Sequence, residues 1–150
     1  WQPVQSEILK TGTLVVGADQ TAEWGFPTYD GWVVSKAFAE ANPDKVVAFL
    51  KAVDKVNAMY LADPAAWTAD SAEVQALAAA TGADPAQVPD ILSGFTFLPM
   101  ADQTGEAWLA GAAPKIKTTA DFLVTAGRID AALDDYSAFV NPTYAAAAAQ

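Results

Sequence analysis

Trp24-Gly25-Phe26-Pro27-Thr28-Tyr29-Asp30-Gly31-Trp32-Val33-Val34 holds four aromatic rings and a single carboxylate in eleven residues. Gly25, Pro27 and Gly31 forbid a continuous helix through it. Its last three residues are aromatic and β-branched, the side chains that suit a pleated, half-buried surface, so Trp32–Val34 is expected to be a strand. Just before the block lies a polar loop, Gly17–Glu23. Further back, Thr13–Val16 reads as a second short strand following the Thr11-Gly12 turn, and Ile8 and Leu9 suit the end of a helix that Pro3 begins. Residues 1–35 thus read as strand and loop.

Downstream the periodicity changes. Residues 36–140 read as helices with short breaks. Asn42 is a fitting N-cap for a helix with Pro43 at N1 and Asp44 at the positive end of the dipole. Val46, Phe49, Leu50, Val53, Val56 and Tyr60 recur at three- and four-residue spacing and define its apolar face. Asp63-Pro64 stops this helix and starts a short one carrying Trp67. Ser71 caps a helix over Ala72–Thr81 that Gly82 ends, and Asp84-Pro85 starts another through Ile91 and Leu92 that Gly94 closes. Phe95–Leu98 is an extended link. A longer helical pattern with Trp108, Ile116, Phe122 and Leu123 runs to Gly127, with a break or kink expected at Pro114. Ile129–Val140 is expected to form a last short helix, and Asn141 onward a tail. Phe49, Phe122 and Phe139, with Trp32, Trp67 and Trp108, are assigned to packing. The Asx-Pro pairs at 42, 63 and 84 stand 21 residues apart, but their flanks share no apolar pattern, so no repeat is inferred.

Composition narrows the chemistry. Eighteen acidic residues against eight basic ones leave a net charge of -10, with no basic stripe, which argues against nucleic acid as a partner. With no Cys and no His, thiol nucleophiles, Ser–His triads and nearly all zinc or iron sites are ruled out. No metal site and no cofactor are expected. About half of the residues are apolar, enough for a folded core, yet no uninterrupted run is long enough to span a bilayer. Trp1–Lys10 lacks the basic start and apolar stretch of a secretory leader. The acid pairs Asp134-Asp135 and Asp19/Glu23 have no apolar setting that would separate their pKa values, so they read as solvated acids rather than a general acid and base.

Several motifs together resemble the taurine-binding proteins of sulfonate ABC importers: Trp24-Gly25-x-Pro27-Thr28-x-Asp30-x-Trp32-Val33-Val34, Lys36-x-Phe38-Ala39-Glu40 with Pro43, Tyr60-x-Ala62-x-Pro64-x-x-Trp67, Gly94-x-Thr96-x-Leu98 and Asp135-Tyr136-Ser137-x-Phe139-Val140. The opening Trp1-x-Pro3-Val4 is similar to the same family's second lobe, so the resemblance covers nearly the whole chain. Phe26 and Tyr29 depart from it, standing where relatives tend to carry smaller or aliphatic residues. The resemblance implies an α/β fold, the C-terminal half of a two-lobe periplasmic-binding-protein-like molecule, mostly helical in this segment. Residues 1–20 would end the second lobe, 21–34 would form the returning hinge strand, and 35–150 would pack on the first lobe. It implies a periplasmic protein (or one lipid-anchored outside the membrane of a Gram-positive cell) that is not an enzyme. Its partners would be a small-molecule ligand, an ABC permease and the missing N-terminal half of the same protein.

Taurine is a zwitterion, so its site must satisfy one ammonium and one sulfonate. A carboxylate is the natural counter-group for a buried ammonium, and Asp30 is the candidate. The competing reading is a Tyr-Asp-Gly turn in which Asp30 bonds its own backbone. Trp1 either closes over the ammonium with its ring face or packs in a core. Thr28 either donates its hydroxyl to the sulfonate or bonds backbone, and Trp24 and Tyr29 either touch ligand or hold the hinge. The remaining sulfonate donors are expected from the absent half. Two other functions fit the same scaffold: a binding protein for an alkanesulfonate or another small solute, and an enzyme of thiamine-precursor synthesis. The second relies on histidine, which this chain lacks.

Overall fold

Every regular element among residues 4–150, the residues described in a computed structural model of the chain, is helical. In chain order the α-helices are α1 (Val4–Leu9), α2 (Ala18–Glu23), α3 (Lys36–Ala41), α4 (Pro43–Ala62), α5 (Ala72–Thr81), α6 (Val88–Ser93), α7 (Met100–Gln103), α8 (Ala112–Thr125) and α9 (Thr143–Ala148). Single 3₁₀ turns lie at Pro64–Ala66 and Ser137–Phe139. The two expected strands, Thr13–Val16 and Trp32–Val34, are not strands among the described residues, so the α/β part of the expected fold is not carried by this segment. The physical reason is the absence of a partner: a strand satisfies its backbone only across a ladder, and no described segment pairs with either run.

The chain divides into two compact units. The first comprises the described residues up to Asp30 together with Ala58–Phe97. Its core is Trp67, Val74, Ala78 and Val88, with Tyr60, Leu77, Ala83 and Leu92 packed around them. Local chemistry builds this core. The Asp63 carboxylate accepts from the Ala66 N–H at 3.2 Å and caps the 3₁₀ turn, which turns Trp67 inward to 7% exposure. Ser71 Oγ accepts from the Val74 N–H, and Gly82 closes α5 in the left-handed region at φ 74°, as expected. Tyr60 meets Trp67 and Phe97 edge-on, with ring centroids 5.3 and 5.0 Å apart.

Helix α6 starts three residues later than expected. Asp84 instead accepts from the Ala86 N–H at 2.9 Å in a turn, and α6 begins at Val88. Had it begun at Pro85, Pro89 would sit inside the hydrogen-bonded ladder without an N–H to give. Starting at Val88 puts Pro89 in the first turn, where no donor is required.

The second unit comprises Gly31–Asn57 and Leu98–Gln150. Here Met100, Ala145 and Ala148 are buried, with Val47, Leu50 and Leu109 against them. The expected tail is therefore a helix that contributes to a core. Ala145 and Ala148 lie one turn apart on α9, and their small side chains let α7 approach closely. The expected helix over Ile129–Val140 is only the 3₁₀ turn Ser137–Phe139. Gly127 ends α8 at φ 64°, and Asp135 takes the Ser137 N–H and hydroxyl for itself, an alternative to helical pairing that aspartate offers readily. Nor does Pro114 kink a long helix. Helix α8 begins two residues before it, so its missing N–H is one that the first turn leaves unpaired anyway.

Asn42 stands at the expected N-cap position of α4, with Pro43 as its first residue and the Asn42 carbonyl accepting from the Val46 N–H at 3.3 Å. Its side-chain amide, however, donates back to the Phe38 carbonyl at 3.1 Å and so also finishes α3. Phe49, Phe122 and Phe139, together with Trp32 and Trp108, are exposed rather than buried. Trp32 does rest edge-on against Phe49, at 4.9 Å between centroids.

One long-range hydrogen bond fixes the start of α7. Asp54, on α4, accepts from the Met100 N–H at 2.8 Å in a partly buried setting. A carboxylate at a helix amino end gains from both the orphan donor and the dipole. Asp54→Ala is expected to destabilise this unit by about 1.5–3 kcal/mol, the range for a hydrogen bond to a charged group. Asp54→Asn, which keeps an acceptor oxygen, should recover part of that loss in urea unfolding. Equal midpoints for Asp54→Ala and the parent chain would refute the assignment.

Candidate functional site

The segment carrying Thr28, Tyr29 and Asp30 is set by local signals at its two ends. At the first, Gly25 adopts φ 89° after α2. The Gly25 N–H bonds the Ala22 carbonyl, and the Phe26 N–H reaches back to the Thr21 carbonyl at 2.8 Å, the paired bonds of a Schellman closure. Pro27 then prevents the helix from resuming and biases Phe26 toward extended backbone. At the second end, Ser35 Oγ accepts from the Phe38 N–H at 3.2 Å and starts α3. Both ends were readable from the Gly-x-Pro spacing and from a serine three residues before Phe38, yet Ser35 was not among the expected caps.

Between these ends the chain has no regular structure, and Trp24, Thr28, Tyr29 and Asp30 are all exposed. They are brought together by sequence adjacency alone. No side chain of another described element is bonded to or stacked on any of the four. Trp1, the fifth expected residue, lies outside the described residues. Tyr29-Asp30-Gly31 forms no turn, and the Asp30 carboxylate makes no hydrogen bond to its own backbone or to any other described group. The turn reading of Asp30 therefore does not hold in this structure. Asp30 is thus an exposed carboxylate, within a stretch of sequence rich in aromatic residues, that has no hydrogen-bond partner among the described residues.

The acid pairs behave as solvated groups. Glu23 accepts from the Gln20 amide at 2.9 Å, and Asp19 is exposed. Asp135 is held below the usual carboxylate range, first by the Ser137 hydroxyl and then by the Ser137 amide. A general acid needs the opposite shift. Because the folded value lies below the unfolded one, the stabilisation from this cap is present above the ordinary carboxylate range and disappears as pH falls through the folded value. The Ser137 amide proton resonance is accordingly expected to titrate with a midpoint below that of a solvated Asp. A midpoint at the ordinary value would show the cap to be absent in solution. Among the described residues no group of three His, Cys, Asp or Glu side chains gathers to hold a metal ion, and no helix is long and apolar enough to cross a membrane.

No family model matches the chain. Among curated proteins it is similar to a periplasmic binding protein. That relative is the "Taurine-binding periplasmic protein" of Escherichia coli (strain K12), 35% identical over 145 residues. The match takes in 96% of this chain and 45% of the relative, so the chain spans a little under half of the relative's length.

Proposed function

We propose that the protein is a solute-binding protein that captures taurine or a close aminosulfonate outside the cytoplasmic membrane and delivers it to an ABC permease as a source of sulfur. The observation that carries this reading is the similarity to the taurine-binding protein of Escherichia coli across 96% of the chain. The residue type of Asp30 is consistent with it: an exposed carboxylate with no hydrogen-bond partner among the described residues suits an ammonium and repels a simple anion such as nitrate. In this reading residues up to about 20 belong to a second lobe, 21–34 return through the hinge, and the helices from 35 onward pack on a first lobe. Asp30 pairs with the ammonium, Trp1 lies over it, and Thr28 gives its hydroxyl to the sulfonate. Trp24 and Tyr29 wall the site. No bond is made or broken.

Calorimetric titration of the protein at its native length, with taurine and with ethanesulfonate, tests the proposal. Saturable heat with taurine and weaker binding of ethanesulfonate is the expected result. Clear binding of ethanesulfonate with no heat from taurine would replace the aminosulfonate reading with an alkanesulfonate one. Turnover of a sulfonate would favour an enzyme instead, against the lack of histidine.

A further inference from the structure

Asp30-Gly31 is the only Asp-Gly or Asn-Gly pair in the chain. Both residues are exposed, and neither the Asp30 carboxylate nor the Gly31 N–H makes a hydrogen bond among the described residues. No backbone hydrogen bond among them holds residues 27–34 either; the flanking bonds end at Phe26 and resume at Ser35. A Cβ built on Gly31 would meet nothing within 4 Å, so the surroundings of its amide are open. Attack of that amide nitrogen on the Asp30 carboxyl carbon closes a five-membered ring, and glycine gives the backbone the freedom that closure needs. The other candidate pairs are blocked. Asn42, Asp63, Asp84 and Asn141 precede proline, whose nitrogen has no hydrogen to lose. Asn57 lies within α4. Asp70 precedes a small polar residue, but the Ser71 N–H is bonded to the Thr68 carbonyl at 2.9 Å and Ser71 Oγ caps α5.

We propose that Asp30-Gly31 is a site of spontaneous self-modification, at which the aspartate converts to isoaspartate through a cyclic imide. The Gly31 amide nitrogen bonds to the Asp30 carboxyl carbon and gives up its proton, while a carboxyl oxygen leaves as water. Water then adds to one of the two imide carbonyls. Opening at the side-chain carbonyl restores aspartate. Opening at the backbone carbonyl routes the chain through the former side chain and leaves the carboxylate on Cα. One water is released and one is taken up, and nothing is oxidised or reduced. The product keeps its mass and charge, but its backbone is longer by a carbon and its carboxylate sits closer to the chain. If Asp30 meets an ammonium, the change withdraws that contact. This consequence alone rests on the solute-binding reading; the modification rests on the exposed, unbonded segment.

Prolonged incubation of the native-length protein at growth temperature, followed by peptide mapping with electron-transfer fragmentation to tell isoaspartate from aspartate, tests this. Isoaspartate is expected to form at residue 30 at least ~10-fold faster than at residue 70, where the following amide is bonded. Gly31→Ala enters open space without strain, so circular dichroism should be unchanged while isoaspartate formation falls by about fivefold or more. Asp30→Asn loses ammonia in place of water and should cyclise faster still, yielding aspartate and isoaspartate, so its ligand affinity is read on fresh protein. Isoaspartate formed at residue 30 no faster than at residue 70 overturns the proposal. So does a Gly31→Ala chain that ages like its parent, or an Asp30→Asn chain that stays intact. Taurine titration of the aged samples separates the modification from the ligand reading: affinity should fall in step with isoaspartate. Isoaspartate with undiminished affinity leaves the modification and removes Asp30 from the ammonium, whereas falling affinity without isoaspartate overturns the modification. A protein that never binds taurine sinks the ligand alone, because the mapping result does not depend on it.

Discussion

Trp67→Ala is expected to cost about 3–5 kcal/mol, the usual range for deleting a buried aromatic side chain, and to melt the Ala58–Phe97 part of its unit at room temperature. Trp67 is the largest side chain in a core whose other buried members are Val74, Ala78 and Val88. Alanine and valine cannot expand to refill an indole-sized void, so the cavity persists and its lining loses contacts outright. The edge-on contact with Tyr60 goes too, worth a further ~0.5–1.5 kcal/mol. Against total stabilities of about 5–15 kcal/mol for ordinary domains, such a loss leaves little. Far-UV circular dichroism in a urea titration, with amide exchange over α5 and α6, reads it directly. Trp67→Phe keeps a ring against Tyr60 and should retain a cooperative transition at lower urea. A Trp67→Ala midpoint shifted no more than a typical surface substitution, about 0.5 kcal/mol, would show that the core lies elsewhere.

That core was legible because its determinants are local. Asp63-Pro64, Ser71 and Gly82 each satisfy or free backbone groups within four residues, and the structure places all three as the sequence implies. What failed to be read depends on contacts made across the chain or on competition between two local rules. Pro89 and Pro114 each moved a helix start, because a proline in a first turn removes no bond whereas one in the interior does. The Ala145–Ala149 run looks like a tail until its partner is known; Met100 is 45 residues earlier, and only its proximity makes small side chains useful. Asn42 holds the N-cap position of α4 as expected, but its side chain turns back to the end of α3, a contact that the sequence left open. The two β-prone runs show the converse. Their propensity is plain in the sequence, but a strand is a relation between segments, and no described segment completes it. For the candidate site, Thr28 and Asp30 could be picked out by residue type. That Asp30 has no internal partner could not, since a Tyr-Asp-Gly sequence serves a turn equally well.

Asp30→Asn is therefore the substitution with the clearest consequence for function. The amide matches the carboxylate in shape and keeps one acceptor oxygen but loses the charge, so it would remove the charge-assisted part of the proposed contact with an ammonium. A hydrogen bond to a charged group contributes ~1.5–3 kcal/mol, and taurine affinity should fall by about 10–150-fold. Folding should be untouched, because Asp30 is exposed and bonded to no described residue. The unliganded melting temperature thus serves as the internal control. Ethanesulfonate, which lacks the amine, completes a cycle in which the protein charge and the ligand charge are removed separately and together. If Asp30 faces the ammonium, the substitution weakens taurine while leaving ethanesulfonate unchanged or slightly tighter, since a carboxylate gives nothing to a sulfonate but repulsion. Equal losses for both ligands would mean that Asp30 shapes the segment rather than reading the amine, and no loss for either would remove it from the site.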